Sequence, residues 1–206
     1  MQALELTKRL LGEDHPDVAT SLNNLANLYT SQGRYSEAEP LLVQALELRK
    51  RLLGENHPYV ATSLNNLGSL YNEQGRYSEA EPLYLQALEL RKILLGEGHP
   101  DIAQSLNNLA YLYKSQGRYS EAEPLYLQAL KLTKRLLGED HPHVASSLNN
   151  LAGLYDSQGR YSEAEPLYLQ ALELAERVLG VSHPNTMTIR QNLANCLREW
   201  AQSIRT

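Results

Sequence analysis

Residues 57–98 read HPYVATSLNNLGSLYNEQGRYSEAEPLYLQALELRKILLGEG, and nearly the same 42-residue segment occurs four times in the chain. The His-Pro pair recurs at 15, 57, 99, 141 and 183, and the Gln-Gly-Arg-Tyr turn places a glycine at 33, 75, 117 and 159. Self-similarity at a fixed period of this size indicates an array of small units that stack on one another. The pattern therefore predicts a single elongated domain over 1–206.

Each repeat is predicted to form two antiparallel helices, the first from about Pro16 to Gln32. The i, i+3, i+4, i+7 spacing of an amphipathic helix is met by the apolar residues at 22, 25, 26 and 29. Asp14, just ahead of the His-Pro pair, is of a type favoured at helix N-caps. Gly33 can adopt the left-handed geometry that ends a helix. The second helix is expected to open with a capping box formed by Ser36 and Glu39.

The repeat boundaries predict the layout of the chain. Residues 1–14 match only the second half of a repeat. Residues 183–206 match a first helix that has diverged, as expected of a capping element. Between them lie four full repeats, at 15–56, 57–98, 99–140 and 141–182. The predicted fold is all-α, built from stacked antiparallel helix hairpins.

These repeats resemble the tetratricopeptide repeat (TPR) family over essentially the whole chain. The residues that match the family pattern of the two helices and the turn are Leu22, Leu25, Ala26, Tyr29, Gly33, Tyr35, Ala38, Leu42 and Ala45. The usual repeat has about 34 residues. The 42-residue period, with its Leu-Gly-x-x-His-Pro loop, resembles the longer variant of kinesin light chains and many bacterial relatives. The resemblance implies a right-handed α-solenoid, the TPR superhelix, whose first helices line a concave protein-binding groove.

Composition and charge narrow the class of partner. The net charge of −5 disfavours nucleic acid and anionic membranes, which both require a basic surface. No apolar run approaches the ~18 residues needed to cross a bilayer. The N-terminal stretch MQALELTKRLLGEDHP has helical periodicity rather than the pattern of a secretory signal. A lone cysteine, Cys196, is predicted to be a buried small side chain and indicates a cytoplasmic protein.

The sequence contains no catalytic constellation, so a protein without enzymatic activity and without a cofactor is expected. The five His-Pro histidines recur once per repeat, roughly 8–10 Å apart if helices pack normally, whereas ligands of one metal ion lie near ~2 Å from it. They are interpreted as helix entries. Nothing resembles a phosphate loop or a nucleophile elbow. Arg34, Glu37, Glu39 and their counterparts are expected to be solvated turn charges.

Differences between the repeats indicate where a partner is recognised. Residues 57–98 differ from 15–56 at only nine positions. Four first-helix columns, numbered here by their position in the first repeat, hold unlike side chains and share one polar face. Column 20 holds Thr20, Thr62, Gln104 and Ser146; column 27 holds Asn27, Ser69, Tyr111 and Gly153; column 30 holds Thr30, Asn72, Lys114 and Asp156; column 31 holds Ser31, Glu73, Ser115 and Ser157.

An unvarying asparagine lies on the same face, at Asn23, Asn65, Asn107 and Asn149. Its side chain offers an acceptor and two donors, which match the backbone of an extended peptide. The predicted site is a peptide-binding groove in which the asparagines hold the ligand backbone and the variable columns read its side chains. In the alternative interpretation, the asparagine bonds a neighbouring hairpin and sets the stacking register. That structural role is the one expected of the second asparagine column, Asn24 and its repeats.

The predicted groove is nearly neutral and polar. By resemblance, family members that grip a C-terminal carboxylate carry lysine where this chain has Asn23 and its repeats, which disfavours that ligand. Capture of acidic cargo, as in kinesin light chains, requires basic groove residues, and only Lys114 and Arg198 qualify. Tyr111 is the predicted aromatic anchor. The function predicted is that of a protein-interaction scaffold.

Two other functions remain open. The chain begins with an orphan second helix and ends with an orphan first helix, so one molecule could complete the next by head-to-tail self-association. The chain could also be the repeat fragment of a larger bacterial protein whose activity lies elsewhere, or a designed or recently duplicated array.

Overall fold

The computed structural model describes residues 2–204, which contain ten α-helices and no strand. The helices are α1 Gln2–Leu11, α2 Pro16–Ser31, α3 Tyr35–Leu53, α4 Pro58–Glu73, α5 Tyr77–Leu95, α6 Pro100–Ser115, α7 Tyr119–Leu137, α8 Pro142–Ser157, α9 Tyr161–Leu179 and α10 Pro184–Ser203. Eight of them pair into hairpin 1 (α2–α3), hairpin 2 (α4–α5), hairpin 3 (α6–α7) and hairpin 4 (α8–α9). The predicted all-α fold of stacked antiparallel helix hairpins is confirmed.

The chain divides into two compact units, unit 1 over residues 1–97 and unit 2 over residues 98–206. In unit 1, α1 packs on α2, and hairpin 1 packs on hairpin 2. In unit 2, hairpin 3 packs on hairpin 4, and α10 packs on α9 and α8. The boundary lies within one residue of the junction predicted between the second and third repeats.

The core of each hairpin is built from the predicted apolar stripe. Leu22, Ala26 and Tyr29 of α2 are buried, and they face the buried Ala38 and Ala45 of α3. Alanine at these second-helix positions lets the two helices approach closely. Burial of one leucine side chain contributes about 2 kcal/mol, so a stripe that recurs in every repeat stabilises every hairpin.

The first helix of each repeat is capped by the histidine itself. The Nδ1 atom of His15 accepts a hydrogen bond from the backbone N–H of Asp17 at 3.2 Å, and Pro16 is the first helical residue. The same cap is made by His57, His99, His141 and His183. The interpretation of His-Pro as a helix entry is confirmed. Asp14, of a type favoured at turns and N-caps, lies in the turn one position before the capping histidine.

The predicted capping box of the second helix is also wrong. α3 begins at Tyr35 with Arg34 as its N-cap residue, so Ser36 lies inside the helix. Arg34 instead donates to both carboxylate oxygens of Glu37, at 2.7 and 2.6 Å. Its guanidinium also lies 4.0 Å from the centre of the Tyr29 ring. The Arg34 side chain thus contacts both helices of the hairpin but makes no cap hydrogen bond to the first turn of α3.

The turn charges link neighbouring hairpins rather than standing alone in solvent. The Glu39 carboxylate of hairpin 1 accepts from the Tyr71 hydroxyl at 3.0 Å and from the Arg76 guanidinium at 2.7 Å, both in hairpin 2. In unit 2 the same bridge, with bonds of 3.0 and 2.9 Å, joins Glu123 to Tyr155 and Arg160. The expectation of solvated charges is therefore wrong for Glu39 and Glu123, whereas Arg34 and Glu37 are exposed.

Candidate functional site

The first asparagine column lies inside the contact between first helices in both units. Asn23 is buried; its Nδ2 atom donates to the Ala19 carbonyl at 3.0 Å, and its Oδ1 atom accepts from Asn66 Nδ2 at 3.2 Å. In unit 2, Asn149 Oδ1 accepts from Asn192 Nδ2 at 2.9 Å. These bonds join the first asparagine of one repeat to the second asparagine of the next, which is the geometry of the register-setting alternative.

The remaining members of the first asparagine column differ in exposure. Asn65 is buried in unit 1, whereas Asn107 of unit 2 is only half-buried. Among residues 2–204, the Asn107 Oδ1 atom has no hydrogen-bond partner. The four asparagines are therefore not equivalent, and Asn107 keeps an acceptor that a ligand could use.

In unit 1 the variable columns are largely engaged by the protein itself. Asn72 is buried, Ser69 is half-buried, and Asn27 is exposed. Hydroxyl groups in columns 20 and 30 donate to main-chain carbonyls one turn earlier, at Thr20, Thr30 and Thr62. Together with Ser31, four of the eight unit 1 side chains in these columns bond the helix that carries them, whereas the buried Asn72 Oδ1 atom has no partner among residues 2–204.

In unit 2, residues of columns 27, 30 and 31 line a cavity of about 290 Å³, here called the Lys114 cavity. Its volume is near the lower end of the range of ~300–1,000 Å³ for ligand sites. Gly153 keeps it open, since a Cβ atom there would lie 3.1 Å from Lys114 Nζ and 3.3 Å from the Tyr168 hydroxyl. The lining residues are Tyr111, Lys114, Tyr126, Asn149, Asn150, Gly153, Asp156, Ser157, Tyr168 and Asn192.

The Lys114 cavity holds an ammonium and a carboxylate that are both partly withdrawn from water. Burial lowers the pKa of Lys114, and the nearby Asp156 carboxylate opposes that shift. The Tyr168 hydroxyl donates to Asp156 Oδ2 at 3.5 Å, whereas Asp156 Oδ1 is buried without a partner among the described residues. Burial raises the pKa of Tyr126 and Tyr168, so both hydroxyls stay protonated at neutral pH. The cavity therefore presents both donors and an unused acceptor.

An exposed aromatic ring and a buried thiol flank this cavity. Tyr111 is 53% exposed and lies on the rim of the Lys114 cavity, where its ring is free to contact a ligand. Cys196 of α10 is buried, as predicted, and burial with the nearby Asp156 carboxylate raises the pKa of its thiol to about 12. The thiol is therefore protonated and unreactive.

A second cavity of unit 2, of about 310 Å³, lies between α6, α7 and α8 and is here called the Thr133 cavity. It is lined by Pro100, Asp101, Ala103, Gln104, Asn107, Thr133, Leu136, Leu137, His143, Ser146 and Ser147. Among the predicted groove residues of unit 2, Ser115 lines neither cavity, and seven others besides Gly153 and Ser157 each line one of the two; they are Gln104, Asn107, Tyr111, Lys114, Ser146, Asn149 and Asp156. The structure thus brings them together in two groups.

Two buried arginines of the second helices, Arg49 and Arg91, were missed by the sequence reasoning. Arg49 is 5% exposed and donates to the Tyr59 carbonyl at 3.1 Å, to Ser63 Oγ at 2.9 Å and to Thr20 Oγ1 at 3.4 Å. Burial lowers the pKa of its guanidinium. The signal was present in the sequence, because the second helices have their own variable column, which reads Arg49, Arg91, Thr133 and Ala175.

Two negative findings concern only the part of the chain that the structure describes. Within residues 2–204, no three His, Cys, Asp or Glu side chains are grouped so that they could hold a metal ion. No helix in that range has the length and apolar character needed to pass through a membrane.

Comparison with known proteins identifies the family. The sequence matches the tetratricopeptide repeat over residues 1–51, 26–93, 64–135, 101–177 and 157–203. The chain belongs to the tetratricopeptide repeat family. No curated protein matches the sequence.

Solved structures of kinesin-light-chain-like proteins share the fold. A Podosopora anserina kinesin light chain protein with nearly identical TPR-like repeats is 28% identical, with a TM-score of 0.73 over 91% of this chain and 89% of that chain. A variant of that protein with one residue substituted gives a TM-score of 0.74 at 28% identity and the same coverage. BtubC (BKLC) from P. vanneervenii is 26% identical, with a TM-score of 0.76 over 98% of this chain and 86% of that chain. The resemblance to the kinesin light chain variant of the family is confirmed.

Proposed function

We propose that this chain is a protein-interaction scaffold that binds an extended segment of a partner across the first-helix face of unit 2, formed by α6, α8 and α10. Membership of the family supports a protein partner in general. The observation that carries the finer proposal is that repeat-variable residues of two hairpins converge on one cavity. Tyr111 and Lys114 come from hairpin 3, and Gly153 and Asp156 come from hairpin 4.

The spacing of the two cavities supports an extended ligand. Ser146 lines the Thr133 cavity and Gly153 lines the Lys114 cavity, both on α8. Seven helical residues rise about 10 Å. An extended segment covers about 10 Å in three residues. One segment of three to four residues would therefore reach both cavities.

The chemistry of the Lys114 cavity favours a ligand side chain that both donates and accepts hydrogen bonds. The Lys114 ammonium is a donor, and the buried Asp156 Oδ1 atom is an acceptor without a partner in residues 2–204. A glutamine or asparagine amide of the partner would satisfy both groups at once. The exposed Tyr111 ring would cover the apolar part of the same ligand.

The asparagine columns support this function in two ways. The bond from Asn192 to Asn149 holds α10 against α8, which fixes two walls of the Lys114 cavity relative to each other. Asn107 and Asn149 are half-buried and line the cavities, so hydrogen bonding to the ligand backbone is assigned to them. The buried Asn23 and Asn65 are assigned to the stacking of unit 1.

The test is a peptide-display selection on the full chain and on two matched double variants. Tyr111→Ala with Lys114→Ala changes columns 27 and 30 of unit 2, and Asn27→Ala with Thr30→Ala changes the same columns of unit 1. We expect the parent and the unit 1 variant to enrich the same peptides, and the unit 2 variant to lose them while keeping its helix content. Equal enrichment by all three proteins, or by none, would overturn the proposal.

A second candidate function is head-to-tail self-association through α1. That helix exposes Leu6, Leu10 and Leu11 to solvent. Exposed leucines on one helix are typical of a surface that another helix covers. We expect the molecular mass in solution to rise with concentration, and Leu6→Glu with Leu10→Glu to hold the chain as a monomer. A parent that stays monomeric at high concentration would eliminate this candidate.

We infer in addition that the chain works without catalysis in a reducing compartment, the cytoplasm. The single cysteine is buried with a raised pKa, so it is neither a disulfide partner nor a nucleophile. An enriched peptide recovered chemically unchanged after long incubation, together with a diffuse cytoplasmic signal from a fluorescent fusion, is the expected result. Cleavage or modification of that peptide, or export of the fusion, would contradict it.

A further inference from the structure

The hairpin contacts of the two units differ at one position of the second helix. In unit 1 the Arg49 side chain fills the space between α2 and α4. In unit 2 the residue in the same column is Thr133, whose hydroxyl donates to the Ala129 carbonyl of its own helix at 2.8 Å. The much shorter side chain leaves a cavity of about 310 Å³.

The groups that hold the Arg49 guanidinium have counterparts around the Thr133 cavity. Counted from the His-Pro pair of each repeat, the corresponding residues are Thr20 and Gln104, Tyr59 and His143, and Ser63 and Ser147. All three unit 2 counterparts line the cavity. Unit 1 thus shows that the corresponding space in the same molecule accepts a guanidinium group.

The Thr133 cavity also contains a negative charge and an unused acceptor. Asp101 lines it and is the single lining residue with a fixed charge. Asn107 lines it as well, and the Oδ1 atom of that residue has no partner within residues 2–204. Leu136 and Leu137 form apolar walls that suit the aliphatic stem of a long cationic side chain.

The contact between hairpin 4 and α10 shows how the same space can be closed without polar groups. Ala175 stands in the column of Arg49 there, and Ile189 stands in the column of Ser63. Both side chains are buried in one apolar cluster. The Thr133 cavity therefore differs from both of these contacts. It keeps the polar acceptors found between hairpins 1 and 2, but no side chain of residues 2–204 occupies the space between them.

We propose that the Thr133 cavity binds a guanidinium group, supplied by an arginine side chain of the partner segment. That the arginine belongs to a bound partner segment rests on the proposed function above, whereas the cavity itself does not depend on that proposal. The guanidinium enters from the solvent side, where Gln104 and His143 are exposed. Its planar fork of donors engages several acceptors at once, which an ammonium group does less well, so arginine is preferred to lysine.

The site is tested directly by NMR on the isotope-labelled full chain with N-acetyl-arginine amide and its lysine and citrulline analogues. We expect saturable shifts of the Gln104 and Ser147 amides with a Kd in the millimolar range typical of a small fragment. The lysine analogue should bind about tenfold more weakly, and the neutral citrulline analogue should give no response. Equal responses to all three compounds, or none at α6 and α8, would overturn the site.

Two reciprocal substitutions supply the controls. Thr133→Arg places in unit 2 the residue that hairpins 1 and 2 already carry, so it should fold and abolish the response at Ser147. Arg49→Thr should open the equivalent space in unit 1 and create a response at Thr20 and Ser63. A folded Thr133→Arg protein that still responds, or an Arg49→Thr protein that gains nothing, would contradict the assignment.

A display selection on the parent and on Thr133→Arg separates this inference from the proposed function. Arginine-containing peptides enriched only by the parent would support both. Peptides enriched without arginine, with no response to N-acetyl-arginine amide, would overturn the guanidinium site and leave the proposed function standing. A response at Gln104 and Ser147 with no enriched peptide would support the guanidinium site and overturn the proposed function.

Discussion

The contact of hairpins 1 and 2 in unit 1 and the contact of hairpins 3 and 4 in unit 2 are built from nearly the same residues but differ in what they leave open. In unit 1 the space between first helices is filled by Arg49, and the Asn23 amide is bonded to Asn66. In unit 2, Thr133 and Gly153 leave two cavities lined by the repeat-variable columns. A few substitutions thus change a closed contact into one with room for ligand side chains.

The hydrogen bonds that are the same in both units identify the residues that hold the scaffold together. The bridge of glutamate, tyrosine and arginine is the same at Glu39 and at Glu123, with distances that agree within a few tenths of an ångström. The histidine caps also recur with one geometry throughout. Stacking and recognition are therefore carried by different columns of the same repeat.

The largest expected difference is at the first asparagine column. Asn23→Ala removes two hydrogen bonds from a buried site and should lower the free energy of unfolding by about 2 kcal/mol. Asn107→Ala removes a carbonyl without a partner in the described chain and should cost less than about 1 kcal/mol. Urea unfolding followed by helix circular dichroism checks both. Equal losses would show that the two asparagines play the same role.

The next largest effect on stability is expected for the two reciprocal substitutions in the second-helix column that holds Arg49 and Thr133. Arg49→Thr removes three hydrogen bonds of a buried cation, but water can replace them, so the expected loss is about 1–2 kcal/mol. Thr133→Arg should change stability by less than about 1 kcal/mol, because new hydrogen bonds offset the cost of burying the charge. The same urea measurement applies, and a loss at Thr133→Arg as large as that at Arg49→Thr would weaken the equivalence of the two spaces.

A smaller effect is expected at two helical glycines. Gly153→Ala gains up to about 1 kcal/mol of helix propensity, because the flexible end of Lys114 can move away from the new methyl group and the Tyr168 hydroxyl, at 3.3 Å, needs to shift only slightly. Gly68→Ala should gain less or lose stability, since its Cβ would lie 3.2 Å from the buried Tyr84 ring. Thermal unfolding midpoints compare the two variants. A larger gain at Gly68 than at Gly153 would contradict this reading of the Lys114 cavity.

The smallest effect is expected from acid. Hydrogen bonds from Arg76 and Arg160 lower the pKa of Glu79 and Glu163 below the ordinary glutamate value. Because the folded-state pKa is the lower one, the stabilisation is complete above the unfolded-state pKa of about 4.3 and is lost as the pH falls through the folded value. Carbon-13 NMR titration should show lowered pKa values in both units. An ordinary glutamate pKa in one unit would show that this ion pair differs between the two units.

The helices could be predicted well from the sequence, because the prolines that begin them and the glycines that end them act on the local backbone and recur in every repeat. The first helix was predicted to end at Gln32 and ends at Ser31. The cap residues were predicted less well. The His15 ring nitrogen accepts the capping hydrogen bond of the first helix, which the usual preference for serine and aspartate at N-caps does not include, whereas the Arg34 side chain makes no cap hydrogen bond.

The candidate site was predicted in its columns but not in its contacts. Helical periodicity placed Asn23 on the polar face but could not show that Asn66, 43 residues later, would bond it. It also placed Lys114 and Asp156 in one column, without showing that Gly153 leaves room between them. Arg49 was missed because only the first helices were compared for variable columns, and the second-helix column of Arg49, Arg91, Thr133 and Ala175 was not considered.

Mapping an enriched peptide onto the full chain by amide chemical-shift changes tests most directly whether unit 2 is the recognition unit. If unit 2 is the recognition unit, the shifts cluster on α6, α8 and α10 around Tyr111, Lys114, Gly153 and Asp156. The corresponding positions of α2 and α4, at Asn27, Thr30, Ser69 and Asn72, then stay unchanged. Shifts of equal size at both sets of positions, or shifts confined to the second helices, would contradict the assignment of recognition to unit 2.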